Sequence, residues 1–335
     1  MKSALAAVSY LITAVALTLL AIRVRQLVAI YKKQQPDPTR SNNRSARLKN
    51  MVKEVLGHTK MFNFTGTGIA HWYVMVGFLS LFGTLVTAYG QVINPDFALP
   101  IIGHWVIYEL FAETIAALTG IGIVTLIGIR QATRIFRKGR HNRFAGSGMG
   151  KAYYVEATIL AVVFAVISLR GLEGALAGVT SWNWHYFVSY PAVKAFSGLS
   201  TSSIENWIVV VAALKIIVSM AWFIVIASNF TMGVAWHRFL AFFNIYYKRN
   251  IDKPALGALP DMLSHGKPVN FEDPAEDDVF GLGTRGDISW KGLLDMTSCT
   301  ECGRCQSQCP AWHTDKPLSP KLLIMAMRDH AMSKV

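Results

Sequence analysis

Charge is what this sequence has least of. Only 16% of its 335 residues are charged, against about 25% in a typical soluble domain. That shortage excludes a disordered chain and a charged coiled coil. Cysteine is scarce as well, with four in the whole chain, too few for the disulfide framework of a small secreted scaffold. Low-complexity tracts and internal repeats are both missing. Apolar residues, by contrast, make up 52%, and the mean hydropathy is +0.34. Lys and Arg outnumber Asp and Glu 33 to 20, giving a formal net charge of +13. On a soluble chain that surplus would suggest nucleic acid, so its placement has to be read before its meaning.

Five apolar runs, at about 4–22, 69–88, 101–129, 154–179 and 207–247, reach the roughly 20 helical residues that a hydrocarbon core requires. The first reads as a retained span and not a signal peptide. Its apolar stretch exceeds an ordinary h-region, no A-x-A cleavage site follows, and it ends at Arg23 and Arg25. Ten basic residues, from Arg23 to Lys60, lie between the first and second runs, and seven, from Arg130 to Lys151, between the third and fourth. Segment 89–103 has none and segment 174–204 only Lys194. Such asymmetry is the positive-inside pattern. It predicts an outside amino terminus, a cytoplasmic carboxy-terminal region and a multi-pass protein of a bacterial cytoplasmic membrane. The basic surplus is then a topology signal that also meets anionic lipid, and no nucleic-acid partner is expected.

Beyond residue 247 the character changes. Pro254, Pro260, Pro268 and Pro274 and the acidic run Glu276, Asp277, Asp278 mark a polar linker. A short amphipathic stretch, 288–296, then leads into the cysteines. The expected fold class is an all-α membrane protein of five transmembrane helices, followed by an incomplete cytoplasmic ferredoxin-like [4Fe-4S] segment. Its expected divisions are 1–247 (membrane domain), 248–287 (linker) and 288–335 (start of the iron–sulfur domain).

All four cysteines fall within eleven residues: Cys299, Cys302, Cys305 and Cys309, followed by Pro310. The spacing C-x2-C-x2-C-x3-C-P is that of the bacterial ferredoxin run, in which the fourth cysteine ligates the other cluster. Zinc sites rarely carry three cysteines at this spacing, and a cytosolic location disfavours disulfides. Gly303 permits the tight turn. The expectation is that Cys299, Cys302 and Cys305 hold a first [4Fe-4S] cluster and Cys309 a second. Each set lacks companions, because the chain has no further cysteine. Either the sequence is the amino-terminal part of a longer protein, the favoured reading, or one irregular cluster uses all four. The chain also stops at Val335, shortly after a helix predicted to begin near Ser319.

Among nine histidines, His71 and His237 stand out. The topology puts them in the same leaflet on different helices, the arrangement that two axial ligands of a b-type haem require. Gly68 and Gly233 precede them by three and four residues, on the same helix faces, which predicts room for a flat macrocycle. Arg238 and Lys60 are candidates for its propionates. Against this stands an ordinary interfacial role beside Trp72, Tyr73 and Trp236. His58 is a further candidate for a propionate or a quinone, whereas His104 and His185 read as interfacial. Glu109, Glu113 and Lys215 are ionisable groups in membrane segments, where function is the default hypothesis. They are candidates for quinone or proton work, with Glu113 and Lys215 as a possible pair. The fifth run exceeds a roughly 30 Å core, so Lys215 has a surface position as its other reading.

These residues resemble a known family. The five-span segment is similar to the nitrate reductase gamma-type haem b anchors. The stretch Ser289-Trp-Lys-Gly-Leu-Leu-Asp, then Cys-Thr-Glu-Cys-Gly-Arg-Cys-Gln, then Lys316-Pro-Leu-Ser-Pro-Lys resembles the heterodisulfide reductase-like iron–sulfur reductases. Their fusion in one chain is similar to the actinobacterial membrane-bound electron-transfer-flavoprotein dehydrogenases. In two-haem anchors further histidines stand where this chain has Leu81 and Ser219, which cannot ligate. The resemblance therefore implies one haem b, held by His71 and His237. It also implies an enzyme that passes electrons from a cytoplasmic reduced flavoprotein, the electron-transfer flavoprotein of fatty-acid β-oxidation, through iron–sulfur clusters to menaquinone. Haem on the inner side predicts proton uptake from the cytoplasm. Two alternatives stay open: a quinol-driven reductase of a cytoplasmic disulfide or sulfur substrate, and a non-catalytic membrane tether.

Overall fold

The computed structural model describes residues 2–137, 139–249, 261–265 and 267–333. In chain order the helices are α1 (Lys2–Lys32), α2 (Arg44–Leu56), α3 (Thr65–Ser80), α4 (Phe82–Gln91), α5 (Val106–Phe136), α6 (Met149–Leu176) and α7 (Tyr190–Phe196). There follow α8 (Thr201–Ala227), α9 (Gly233–Tyr246), α10 (Trp290–Thr297), α11 (Arg304–Gln308), α12 (Pro310–His313) and α13 (Pro320–Met332). Two short strands, β1 (Leu263–Ser264) and β2 (Lys267–Pro268), pair antiparallel within the linker region. Lys138, Pro254, Pro260 and Val335 lie outside the described residues.

Among the described residues α1, α5, α6 and α8 are long and apolar enough to cross a membrane. A fifth span exists if Phe62–Ser80 and Phe82–Gln91, bent by 41°, count as one. The bend has a local cause. The Ser80 hydroxyl donates to the Val76 carbonyl at 2.7 Å and the Thr84 hydroxyl to the Leu81 carbonyl at 2.6 Å, side-chain bonds of the kind that bend helices. Large apolar side chains point outward on the long helices, with Leu11 67% and Phe164 74% exposed. In water such a surface would be an aggregation liability; against lipid it costs nothing.

The run 207–247 is not one helix. It breaks at residues 228–232 into α8 and α9. The reason is a cluster of residues that bond locally in place of continuing the helix: the Ser228 hydroxyl donates to the Ile224 carbonyl at 2.9 Å, and Met232 N–H donates to the Asn229 carbonyl at 3.1 Å. His237 therefore sits near the start of a separate helix, not in the last turns of a span. Run 101–129 shifts as well, since α5 begins only at Val106, after a turn in which Ile101 takes φ +69°. The run 154–179 ends as α6 does. Val179 N–H donates to the Gly174 carbonyl and Gly178 N–H to the Ala175 carbonyl, at 3.0 and 3.1 Å, with Gly178 at φ +68°, the paired bonds of a Schellman stop.

The chain divides into two units, Met1–Ala21 with Lys60–Ser228, and Ile22–Thr59 with Asn229–Val335. In the first, Ile208, Ala212, Ala213 and Ile216 of α8 are fully buried with Leu172 of α6 and Ala88 of α4. Helices α3 and α5 meet through small residues: a Cβ added at Gly122 would lie 2.7 Å from the Ala70 carbonyl oxygen. Thr119 closes the same contact by donating to the Tyr73 carbonyl at 3.1 Å, a mode of packing suited to membranes.

In the second unit Arg47, 2% exposed, ties α2 to the end of α9. Its guanidinium donates to the carbonyls of Tyr246 (3.2 Å) and Lys248 (2.8 Å) and to Asn42 Oδ1 (2.6 Å). One of the positive-inside charges is thus a buried structural clamp. Helix α9 packs on α10 through the Tyr247 and Trp290 rings, 4.9 Å apart and edge to face, and Asn244 Nδ2 donates to the Leu294 carbonyl at 3.4 Å. The amphipathic stretch 288–296 becomes α10, capped by Ser289, whose hydroxyl accepts from Gly292 N–H at 3.0 Å. A helix does follow Ser319, with its hydroxyl accepting from Leu322 N–H at 3.2 Å.

Candidate functional site

The cysteine run occupies the loop after α10 and the short helices beyond it. Cys299 N–H donates to the Met296 carbonyl at 3.1 Å, so the first cysteine is anchored by the end of α10. Glu301 (φ +59°) and Gly303 (φ +73°) are both left-handed, and together they curl the backbone between Cys299 and Cys305. Glycine takes that conformation without strain; Glu301 takes it at a cost and is held by Arg328, whose Nη2 donates to Glu301 Oε1 at 3.0 Å. Cys309 stands at the amino end of α12, with Pro310 in the first position, where a missing N–H does no harm.

The surroundings are cationic and buried. Lys321 is 0% and Arg328 1% exposed. Burial pushes the Cys299 thiol above its usual range; the Glu301 backbone and Arg328 oppose that shift, and Cys302 and Cys305 add to it. Burial raises Cys305 too, with Cys302 adding and Lys321 opposing. Lys321 is lowered by burial, against the pull of Glu301 and all three thiols. Cys299, Cys302, Cys305, Lys321 and Arg328 thus share one electrostatic neighbourhood. Arg328 Nη1 is buried and has no hydrogen-bond partner. An unpaired guanidinium N–H near the Cys299 thiol fits an anionic sulfur-rich group. Among the described residues no three His, Cys, Asp or Glu side chains converge tightly enough to grip a single metal ion. Thiolates around a cubane stand wider apart than those around one tetrahedral ion, because irons and sulfides lie between them. The donor set, the curled loop and the unpaired N–H therefore fit an iron–sulfur cluster better than a zinc ion.

The residues expected to hold a haem fare differently. His71 is half-buried on α3 of the first unit, and His237 is half-buried on α9 of the second. His237 Nδ1 donates to the Gly233 carbonyl at 3.3 Å, the tautomer that presents Nε2 as the coordinating nitrogen. The expected slot is not there. A Cβ at Gly68 would lie 2.7 Å from the Met61 carbonyl oxygen, and one at Gly233 would press into the Cys299 carbonyl. Both glycines admit backbone, not a macrocycle. Arg238 Nη1 donates to its own helix, at the Val234 carbonyl (2.9 Å), and Lys60 is exposed. His58 is buried with φ +46° and turns Nδ1 onto the Val55 carbonyl at 2.8 Å, closing the end of α2.

The ionisable groups of the membrane segments form a network that the sequence did not reveal. Glu113 pairs with Arg170, Nε to Oε1 at 3.0 Å, and accepts from the Ser189 hydroxyl (2.6 Å) and the Val188 and Ser189 N–H groups (2.8 and 3.0 Å). It does not pair with Lys215. Lys215 is 2% exposed, which excludes a surface position, and donates to the Thr84 carbonyl and hydroxyl, both at 2.8 Å. Arg170 also reaches Glu109 (3.1 Å) and Glu173 (2.6 Å). His185 is more than an interfacial residue, since its Nδ1 lies 2.5 Å from Glu109 Oε2. The signal for Arg170 was present in the sequence: it is the lone cation inside the run 154–179, and an isolated charge there needs carboxylate partners.

Comparison with known proteins places the chain among the likenesses of iron–sulfur oxidoreductases. It is 38% identical over 100 residues to the EtfAB:quinone oxidoreductase of Syntrophomonas wolfei, covering 30% of this chain and 12% of that protein. It is 43% identical over 75 residues to the "Probable iron-sulfur-binding oxidoreductase FadF" of Bacillus subtilis, covering 22% and 10%. A "Probable membrane-anchored ferredoxin" of Chromohalobacter salexigens is 27% identical over 148 residues, covering 42% and 20%. The matched segments thus span a fifth or less of these relatives' own length. No family model matches the sequence, and no solved structure matches the fold.

Proposed function

We propose that this protein is a membrane-bound oxidoreductase passing electrons from a cytoplasmic reduced flavoprotein, of the electron-transfer-flavoprotein kind that serves fatty-acid β-oxidation, to menaquinone in the bilayer. The observation that carries this reading is the trio Cys299, Cys302 and Cys305, with the unpaired N–H of buried Arg328 near Cys299, in a chain with helices of membrane-spanning length. The relative named for a flavoprotein and a quinone supports the direction of flow. Bound to those thiolates, a [4Fe-4S] cluster supplies a one-electron carrier. Glu301 and Gly303 shape the loop that presents the thiols, Arg328 and Lys321 offset the negative charge gathered there, and Cys309 is assigned to a second cluster. The positive-inside pattern supports a cytoplasmic position for this segment, within reach of a soluble donor.

One haem b, with His71 and His237 as axial ligands and Arg238 and Lys60 toward its propionates, is a separate proposal. It rests on those histidines alone, since neither glycine leaves a slot.

Electron paramagnetic resonance of the dithionite-reduced, detergent-solubilised protein tests the first proposal. A reduced iron–sulfur signal is expected, lost in Cys302→Ser and kept in a variant of a remote surface residue. A dithionite-reduced minus air-oxidised visible spectrum tests the second. A b-type α-band absent from His71→Ala and His237→Ala is expected; no α-band in the unaltered protein sinks the haem, and no iron–sulfur signal sinks the whole reading.

A further inference from the structure

The first unit contains a cavity of about 310 Å³, within the roughly 300–1,000 Å³ of small-molecule sites. It lies among α4, α5, α6 and α8 and is closed by the loop before α5, the segment that carries no Lys or Arg. Its polar lining includes Gln91, Tyr108, Glu109, Arg170, Glu173 and Lys215, and between these stand apolar side chains such as Val166 and Leu169.

Two polar atoms on its wall keep open bonding capacity. Gln91 is 1% exposed; its amide nitrogen donates to Glu173 Oε1 at 2.6 Å, but its carbonyl oxygen accepts from nothing. The Tyr108 hydroxyl is buried too, with the Thr87 hydroxyl as its polar neighbour on the wall, and that hydroxyl itself donates to the Gly83 carbonyl at 3.2 Å. Leaving a buried polar atom unpaired is costly, so the open Gln91 carbonyl, with the weakly held Tyr108 hydroxyl on the same wall, marks a place where a ligand completes the bonding.

The wall chemistry narrows the ligand class. Three carboxylates, Asp96, Glu109 and Glu173, line it with two cations, Arg170 and Lys215, and Arg170 engages Glu109 and Glu173. A site with that balance does not select an anion. What it offers is one donor, the Tyr108 hydroxyl, one acceptor, the Gln91 carbonyl, and a remaining N–H on Lys215, arranged around apolar surface inside a membrane-spanning unit. A flat apolar ring that bears a carbonyl in one redox state and a hydroxyl in the other matches each of these.

We propose that this cavity binds the head group of a lipid-soluble para-quinone, with Tyr108 and Lys215 donating to its carbonyl oxygens and Gln91 accepting from the hydroxyl of the reduced form. The assignment rests on the quinone acceptor of the proposed function and gives it a place, at the membrane face opposite the basic loops. That is the face opposite the one expected for the two histidines, so this site replaces the expected proton uptake from the cytoplasm with uptake from the other side.

The test is a fluorescence-quenching titration of the purified, detergent-solubilised protein with the quinol analogue 2-heptyl-4-hydroxyquinoline N-oxide. Saturable binding at one site per chain is expected, with Kd raised about tenfold in Tyr108→Phe and in Gln91→Leu, each removing one hydrogen bond to the ligand. Equal affinity in the unaltered protein and both variants overturns this site and leaves the quinone reading standing. Absence of saturable binding to the unaltered protein overturns both. A photoactivatable azidoquinone applied to the unaltered protein needs no variant to fold. Label in the peptides holding Gln91 and Tyr108 supports the site, and label confined to other segments overturns it.

Discussion

At the scale of single residues, the cysteines and the charged groups were legible to different degrees. The cysteine run needs no tertiary information, because ligand spacing along a chain is what wraps a cluster corner, and the φ of Gly303 is the conformation that such a turn demands. Arg170 is the opposite case. Its position in an apolar run showed that a charge was buried, but which carboxylates meet it depends on α5 and α6 lying side by side. Glu113, a possible partner of Lys215 by depth alone, stands beside Arg170 instead, since depth in the membrane specifies level and not azimuth. Replacing the arginine tests its weight. Arg170→Met leaves Glu109, Glu113 and Glu173 without their shared cation, and breaking a buried pair costs about 3–5 kcal/mol. The expected result is a clearly lower midpoint of thermal unfolding in detergent, read by circular dichroism; an unchanged midpoint would show that the carboxylates are protonated or solvated in the variant at no cost.

Among elements, the apolar runs located the span-length helices but misplaced their ends and joined two into one. Hydropathy averages over a window, whereas a helix stops where side chains offer the backbone other bonds, as Ser228 and Asn229 do between α8 and α9. The consequence reaches the candidate site, because His237 and the cysteine run then belong to the same unit. Within it, Gly233, one turn before His237, meets the carbonyl of Cys299. The two glycines read as haem slots prove to be places where backbone approaches backbone, which sequence spacing cannot distinguish from a slot for a ligand. The α3–α5 contact is a sharper test of the same principle. Gly122→Ala puts a methyl against the Ala70 carbonyl, an overpacking cost of about 1–3 kcal/mol, so its unfolding midpoint is expected to fall while Gly128→Ala, which meets nothing within 4 Å, stays near the unaltered value.

For the whole molecule, orientation is the property that composition speaks to most directly and that the fold leaves open. Ten and seven basic residues on one set of loops against a single lysine on the other favour one topology through the energetics of insertion. The expected outcome is that a membrane-impermeant maleimide added to right-side-out vesicles modifies Lys194→Cys and spares His141→Cys, both exposed positions; the reverse pattern would move the cysteine run to the outside and remove any soluble cytoplasmic donor.

What the sequence determined by itself was the class of environment and the class of chemistry. Both are additive or local properties: apolar length measured against the thickness of a bilayer, and ligand spacing measured against the size of a cluster. Tertiary structure alone decided the rest. That Arg328 keeps one N–H unpaired near Cys299, that Lys215 is buried against Thr84, and that Gln91 and Tyr108 leave open bonding capacity on one cavity wall are all facts about residues apart in the chain. Their meeting depends on which helix faces pack together, and a pattern along one helix fixes its apolar face without naming the neighbour that will cover it.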